Sequence, residues 1–328
     1  MLRLPPFRYH RPDRLDDAVG LLNEHAGTAL AMAGGTDLVP NMKHRLFEPQ
    51  HVVSLRGIGA LRGIGVQDGA LVIGAGESLA AVAASAEVRR HAPSLAAAAG
   101  QVAGPQLRNA GTIGGNLCLD TRCTYYNQSW FWRRSLGFCL KKDGDTCHVT
   151  RVGTKCVAAH SADTPPVLMT LDAVAEMASM DGERTVPVAE FFVPDGIANT
   201  VRRPDEVVTR IRVPLPGPGT RTVFRKLRQR NSIDFPLLNV AIAAELRDSV
   251  LHDLRVVVSG LGARPREVSG LDEVLGRRLD VDAIEAVAQR AYQQCRPLTN
   301  MIVDPTWRRA MVPVQVRRAL MELAGQAR

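Results

Sequence analysis

Four cysteines, Cys123, Cys139, Cys147 and Cys156, fall within 34 residues of a 328-residue chain. Their spacing, C-x15-C-x7-C-x8-C, lacks the compact CxxC hooks of zinc fingers and bacterial ferredoxins. Four thiolates still suffice, by count, for a structural zinc or an iron-sulfur cluster, and buried free thiols are the plain alternative. The segment begins just after a glycine-rich stretch that reads as a phosphate cradle. Two redox-relevant signals therefore lie side by side.

Length and composition bound what these signals can mean. With 45% hydrophobic and 23% charged residues over 328 positions, the chain reads as ordinary globular protein of two or three domains. The start, MLRLPPFRYHRPDRL, interrupts its apolar character with Pro5, Pro6 and charges, and no apolar run is long enough to span a bilayer. The expectation is a soluble, cytoplasmic protein with no membrane partner. In that compartment thiols stay reduced, which favours metal ligation over disulfides for the four clustered cysteines. Cys118 and Cys295 have weaker claims, with packing as the default. A net charge of +8 is spread over the chain and interleaved with acids, so no nucleic-acid partner is expected. Locally the cysteine segment is basic: Arg122, Arg133, Arg134, Lys141, Lys142, Arg151 and Lys155 outweigh Asp120, Asp143 and Asp145. Such a balance suits an acidic electron-transfer partner.

Periodicity gives a helix over 14–26, a strand from Thr28 to Ala33, and then a glycine-rich turn. Short strands with Gly and Asp turns follow from 52 to 74, then helices at 78–85 and 94–103. PPVLMTLDAVAEM reads as helix or strand, while PVAEFFVPD, EVVTRIRVP and TVFRKLR read as strand-like. Pro214 to Gly219 is the best candidate boundary. Beyond it FPLLNVAIAAEL and LRVVVSGLG read as strands, and 282–293 and 308–325 as helices.

Two stretches have the composition of phosphate cradles. In Ala33, Gly34, Gly35, Thr36, Asp37 and Leu38 the paired glycines allow close backbone approach, and the threonine adds a hydroxyl. Gly111, Thr112, Ile113, Gly114, Gly115 and Asn116 repeat the idea. Neither GxGxxG nor a Walker pattern is present, which sets aside Rossmann and P-loop readings.

AGGTDL, RNAGTIGGN, Ser161-Ala162-Asp163 before PPVLMTLDA, and FRKLRQRNSIDFPL resemble, in the same order, the FAD-binding subunits of the xanthine dehydrogenase and molybdenum hydroxylase family. The resemblance covers nearly the whole chain. It implies an α+β fold: a two-subdomain FAD-binding domain of the PCMH type over 1–219, with subdomains of about 1–56 and 57–219. A C-terminal sheet-plus-helices domain of the molybdenum hydroxylase flavoprotein type would occupy 220–328. It further implies that both glycine loops hold the FAD pyrophosphate, that Asp163 helps hold the nucleotide part and that Lys226 approaches the flavin. The departure lies between Asn116 and Asp163, where ordinary members have a short link and this chain carries about forty additional residues.

Within that insertion, about 118–160, Tyr125, Tyr126, Trp130, Phe131, Trp132 and Phe138 place six of the chain's fifteen aromatics in fourteen residues. An apolar sheath of this kind would exclude solvent and help set a cluster's potential. The segment resembles the insertion in the beta subunits of the 4-hydroxybenzoyl-CoA reductase family, which implies a 4Fe-4S cluster on Cys123, Cys139, Cys147 and Cys156. The same resemblance implies a molybdopterin-binding large subunit, a small subunit with 2Fe-2S clusters, ferredoxin as electron donor, and a dimer of heterotrimers. It places the substrate site on another subunit, so no catalytic residue is expected here. His148 is read as a surface or hydrogen-bonded histidine.

Overall fold

The computed structural model describes residues 2–150 and 153–325, so Arg151 of the basic segment lies outside the described residues. The N-terminal sheet has three parallel strands, β1 (Arg8–His10), β2 (Ala29–Met32) and β3 (His51–Ser54), in the order β1-β3-β2. The helix Leu15–Glu24 buries Ala18, Val19 and Leu22, one apolar stripe of helical spacing, against it.

The middle sheet is antiparallel and has five strands: β4 (Ile64–Gln67), β5 (Ala70–Gly74), β6 (Val174–Ser179), β7 (Gly182–Pro187) and β8 (Val207–Pro214), ordered β4-β5-β8-β6-β7. All of β5 is buried, and β6 reaches this sheet only after a long excursion from residue 75 to residue 173. That excursion supplies the helices Leu79–Ala84, Pro93–Gly100, Ile113–Leu117 and Thr164–Thr170, whose buried residues join those of β5 and β8 in the main core. Both cofactor-type motifs of the middle region ride on it.

The third sheet is an antiparallel meander, β9 (Thr220–Leu227), β10 (Leu238–Arg247), β11 (Val250–Ser259) and β12 (Arg266–Glu267), backed by the helices Val281–Gln294 and Pro305–Leu323. Asp304 caps the last helix by accepting the Trp307 N–H at 2.7 Å. Arg308, fully buried, donates from that helix to the carbonyls of Leu237 and Leu298, each at 3.2 Å, and to Gly260 O. Burial pushes its guanidinium down to about 10.

Two expectations change. PVAEFFVPD does not extend a strand: β7 stops at Pro187 and Val188–Phe191 makes a helical turn that buries Val188 and Phe191. PPVLMTLDAVAEM is helix and strand in succession, divided at Asp172 (φ 52°), a left-handed position that aspartate tolerates. No helix among the described residues is long and apolar enough to cross a membrane.

Candidate functional site

The first glycine stretch joins β2 to the helix Leu38–Lys43. Gly35 holds φ +70°, which turns the chain, and a Cβ on Gly34 would sit 2.6 Å from Ala110 C and 2.9 Å from Gly111 Cα. The two glycine stretches therefore abut through backbone. No backbone N–H from Gly34 to Leu38 has an acceptor among the described residues. Grouped unpaired N–H donors on a turn suit a phosphate.

The second stretch differs. The N–H groups of Ile113, Gly114 and Asn116 are taken by Glu77 O, Ala75 O and Thr112 O, each at 2.9 Å, and that of Gly115 by Thr112 Oγ1 at 3.1 Å. Its glycines serve close packing: a Cβ on Gly114 would meet Ala75 Cβ at 2.7 Å. Asn116 accepts from Thr164 N at 3.1 Å and Thr164 Oγ1 at 2.7 Å, tying this turn to the helix that follows Asp163. Among the described residues the first turn thus keeps its N–H groups without acceptors, while the second is fixed by hydrogen bonds to its neighbours.

Asp163 and Lys226 meet in the interior, 2.5 Å apart, with side chains 3% and 1% exposed. Asn239 donates to Asp163 at 2.9 Å, and Lys226 also donates to Gln101 O at 3.1 Å. Burial raises the Asp163 carboxyl and lowers the Lys226 ammonium, while their mutual attraction opposes both shifts. The pair thus joins the helix Thr164–Thr170 to β9 and β10.

All four clustered cysteines line one small cavity of about 20 Å³, together with Tyr125, Tyr126 and His148. Backbone N–H groups point at the sulfurs: Ala158 N–H donates to Cys156 Sγ at 3.4 Å. Burial pushes the Cys123 thiol up to about 11, and proximity of the other three thiols adds to this. Burial also raises Cys156. In Cys147 burial is outweighed by hydrogen bonds from Thr150, Val149 and Val157, leaving its thiol below the usual value. Four thiols gathered around one cavity suffice, by count, for a single metal ion or for an iron-sulfur cluster. Cys118 packs beside the main core and Cys295 is buried in the C-terminal one.

The aromatic sheath is only half present. Tyr125 and Tyr126 line the cysteine cavity, but Phe131 is 80% exposed, and Trp130 and Trp132 are also at the surface. The short helix Trp130–Ser135 presents its aromatics outward because its buried position is Arg133, whose guanidinium donates to His44 O at 3.2 Å and Arg45 O at 3.1 Å. The basic residues likewise divide. Lys141 is buried, 2.6 Å from Asp120 and donating to Gly196 O at 2.7 Å, while Arg134 and Lys155 remain exposed.

Sequence reasoning missed a connecting residue. Arg122 pairs with Asp37 of the open glycine turn and precedes Cys123 in the chain. Its backbone exchanges hydrogen bonds with Ala159 at 2.8 and 2.7 Å, which closes the neck of the insertion. The Arg122 side chain also stacks over Phe235, its Cζ 4.6 Å from the ring centroid. The signal was a charged residue adjacent to a ligand candidate, which is too common to single out. Buried His160, pushed down to about 3 by burial, was missed too.

Residues 5–216 match the family described as the FAD binding domain in molybdopterin dehydrogenase, and residues 222–323 the CO dehydrogenase flavoprotein C-terminal domain. The aldehyde oxidoreductase FAD-binding subunit PaoB of Escherichia coli (strain K12) is 32% identical over 331 residues, covering 98% of this chain and 99% of that protein. The carbon monoxide dehydrogenase medium chain of Hydrogenophaga pseudoflava is 29% identical over 318 residues, 96% of each chain. A structure of carbon monoxide dehydrogenase from that organism, lacking the Mo-pyranopterin moiety, superposes with a TM-score of 0.82 at 26% identity, covering 99% of this chain and 100% of that one. The α+β architecture is therefore that of a PCMH-type FAD-binding domain followed by the flavoprotein C-terminal domain, and the chain belongs to the FAD-binding subunits of the molybdenum hydroxylases, the oxidoreductase family of xanthine dehydrogenase and carbon monoxide dehydrogenase.

Proposed function

We propose that this chain is the electron-transfer flavoprotein subunit of a 4-hydroxybenzoyl-CoA reductase, holding FAD and a 4Fe-4S cluster. It would work with a molybdopterin-binding large subunit and a small 2Fe-2S subunit in a dimer of heterotrimers, in the cytoplasm. The observation that carries the reading is the single cavity that gathers Cys123, Cys139, Cys147 and Cys156, lined also by Tyr125 and Tyr126. When bound, FAD would exchange one or two electrons and the cluster one at a time, which makes the subunit a converter between a ferredoxin and the molybdenum partner. Within the chain, the turn from Ala33 to Leu38 would bind the FAD pyrophosphate through its unpaired N–H groups, and the brace from Gly111 to Asn116 would hold that turn in place. Asp163 would help hold the nucleotide part, and Lys226 would set the charge beside it. Arg122 would keep the insertion registered against the flavin turn through Asp37.

Iron and sulfide are expected at about four atoms each per chain beyond what the partner subunits contribute. Cys139→Ser should lose them, and Cys295→Ser should keep them. Zinc in place of iron in anaerobic protein would refute the cluster. For the substrate, the assembled complex with reduced ferredoxin is expected to convert 4-hydroxybenzoyl-CoA to benzoyl-CoA. Turnover of an aldehyde or a purine with no dehydroxylation would assign the subunit to a sister enzyme.

Docking of an acidic ferredoxin rests on the exposed Arg134, whose guanidinium lies over the Trp130 ring, and on the exposed Lys155. Lys141 belongs to the interior and is unsuited to such a test. Reversing Arg134 and Lys155 to glutamate should slow ferredoxin-driven cluster reduction and flatten its salt dependence, with reduction by a small artificial donor unchanged. Unaltered rates and salt dependence in stopped-flow would place the dock elsewhere.

A further inference from the structure

We propose that His10, His25 and His51 form a binding site for a borderline divalent cation of the zinc type, separate from both cofactor regions and independent of the function proposed above. The three come from different elements: the end of β1, the residue after the helix Leu15–Glu24, and the start of β3. In the parallel register β3 places His51 opposite Arg8, so that His10, two residues on, shares its face of the sheet. Among the described residues these three have ligand nitrogens that all lie within 4.8 Å of one another. His10 Nε2 and His51 Nδ1 are 2.9 Å apart. Two nitrogens on one tetrahedral zinc ion, each at 2.0–2.1 Å, stand about 3.3 Å apart, so the pair is already close to a ligating separation.

The His25 and His51 rings stack, with centroids 3.7 Å apart and planes inclined by 26°. Closing all three on an ion therefore takes a turn about χ2 of His25, a broad and soft torsion in histidine. His25 follows the helix end and belongs to no strand. Glu24 Oε1 stands 3.8 Å from His25 Nε2, positioned as a fourth ligand or as a hydrogen-bond partner orienting the ring. The opposing charge is Arg8, which is exposed. Imidazole donors suit zinc, nickel, copper and iron rather than magnesium or calcium. All three histidines are half-buried, so an ion can reach them from solvent. A bound ion would fasten the short edge strand β1 to β3 and to the preceding helix.

The test is calorimetric titration of the anaerobic complex, with its cluster and flavin in place, using Zn2+ alone, followed by absorption spectroscopy with Co2+. The expected result is one Zn2+ per chain and a raised thermal midpoint, since an ion bound only by the folded state stabilises it. His25→Gln and His51→Gln should each weaken binding by about tenfold or more, with iron and flavin content unchanged. If His51→Gln fails to fold, His25→Gln decides, because its site lies outside the strands. Equal Zn2+ binding by the native protein and His25→Gln, or no binding in the native protein, would overturn the proposal and leave the three rings as a hydrogen-bonded packing cluster.

Discussion

Gly34→Ala is expected to yield protein with little or no flavin, while Gly115→Ala keeps it. A Cβ on Gly34 has nowhere to go: it would overlap the Ala110 carbonyl and lie 2.9 Å from Gly111 Cα, all of it backbone. Relief requires the two glycine turns to separate, at the upper end of the ~1–3 kcal/mol typical of overpacking. That separation would displace the turn whose N–H groups from Gly34 to Leu38 have no acceptor among the described residues. At Gly115 a Cβ would meet only the Thr112 hydroxyl at 3.1 Å, a side-chain atom that needs to give by only a few tenths of an ångström while it keeps its bond to the Gly115 N–H. Flavin absorbance against protein, together with the thermal midpoint, separates the two variants. Full occupancy in Gly34→Ala would mean that contact between the turns is not what holds the cofactor, and that the open turn works alone.

The contrast between the two turns shows what the sequence can and cannot convey. Both stretches have the composition of a phosphate cradle, and composition was legible. Whether an N–H is free depends on distant partners, here Glu77 and Ala75, and no local pattern encodes those. Strands β8 to β11 were legible because their apolar runs are long and bounded by turns, whereas Val188–Phe191 was misread because two adjacent phenylalanines mimic a strand in a segment too short to show its period. The four cysteines could be singled out from spacing and compartment, and the structure draws them to one cavity. The aromatics and basic residues around them could not be sorted into inside and outside. Arg133 and Lys141 are buried against sequence expectation because carbonyls and carboxylates from remote segments receive them.

Lys226→Met is expected to lower stability by about 3–5 kcal/mol, the range for removing one member of a buried ion pair. Asp163 would keep Asn239 as a donor but lose the cation 2.5 Å away, inside a site where its side chain is 3% exposed. Burial already raises this carboxyl, and without Lys226 the opposing attraction is gone, so its folded-state value rises further. A carboxyl whose pKa is higher folded than unfolded binds more protons in the native state over the window between the two values. Stability then falls as pH rises through that window. The thermal midpoint of Lys226→Met should consequently lie closer to that of the native protein at pH 5 than at pH 8. The double variant Asp163→Asn with Lys226→Met removes both charges and should recover much of the loss, because a neutral replacement leaves no unpaired buried ion. Flavin content in the double variant adds a second reading. A folded protein that retains FAD would make the pair a structural fastening between the helix Thr164–Thr170 and β9, whereas a folded but flavin-poor one would place Asp163 in contact with the nucleotide. A Lys226→Met penalty that is small, or that does not change between pH 5 and pH 8, would show that the two groups are not held as an ion pair.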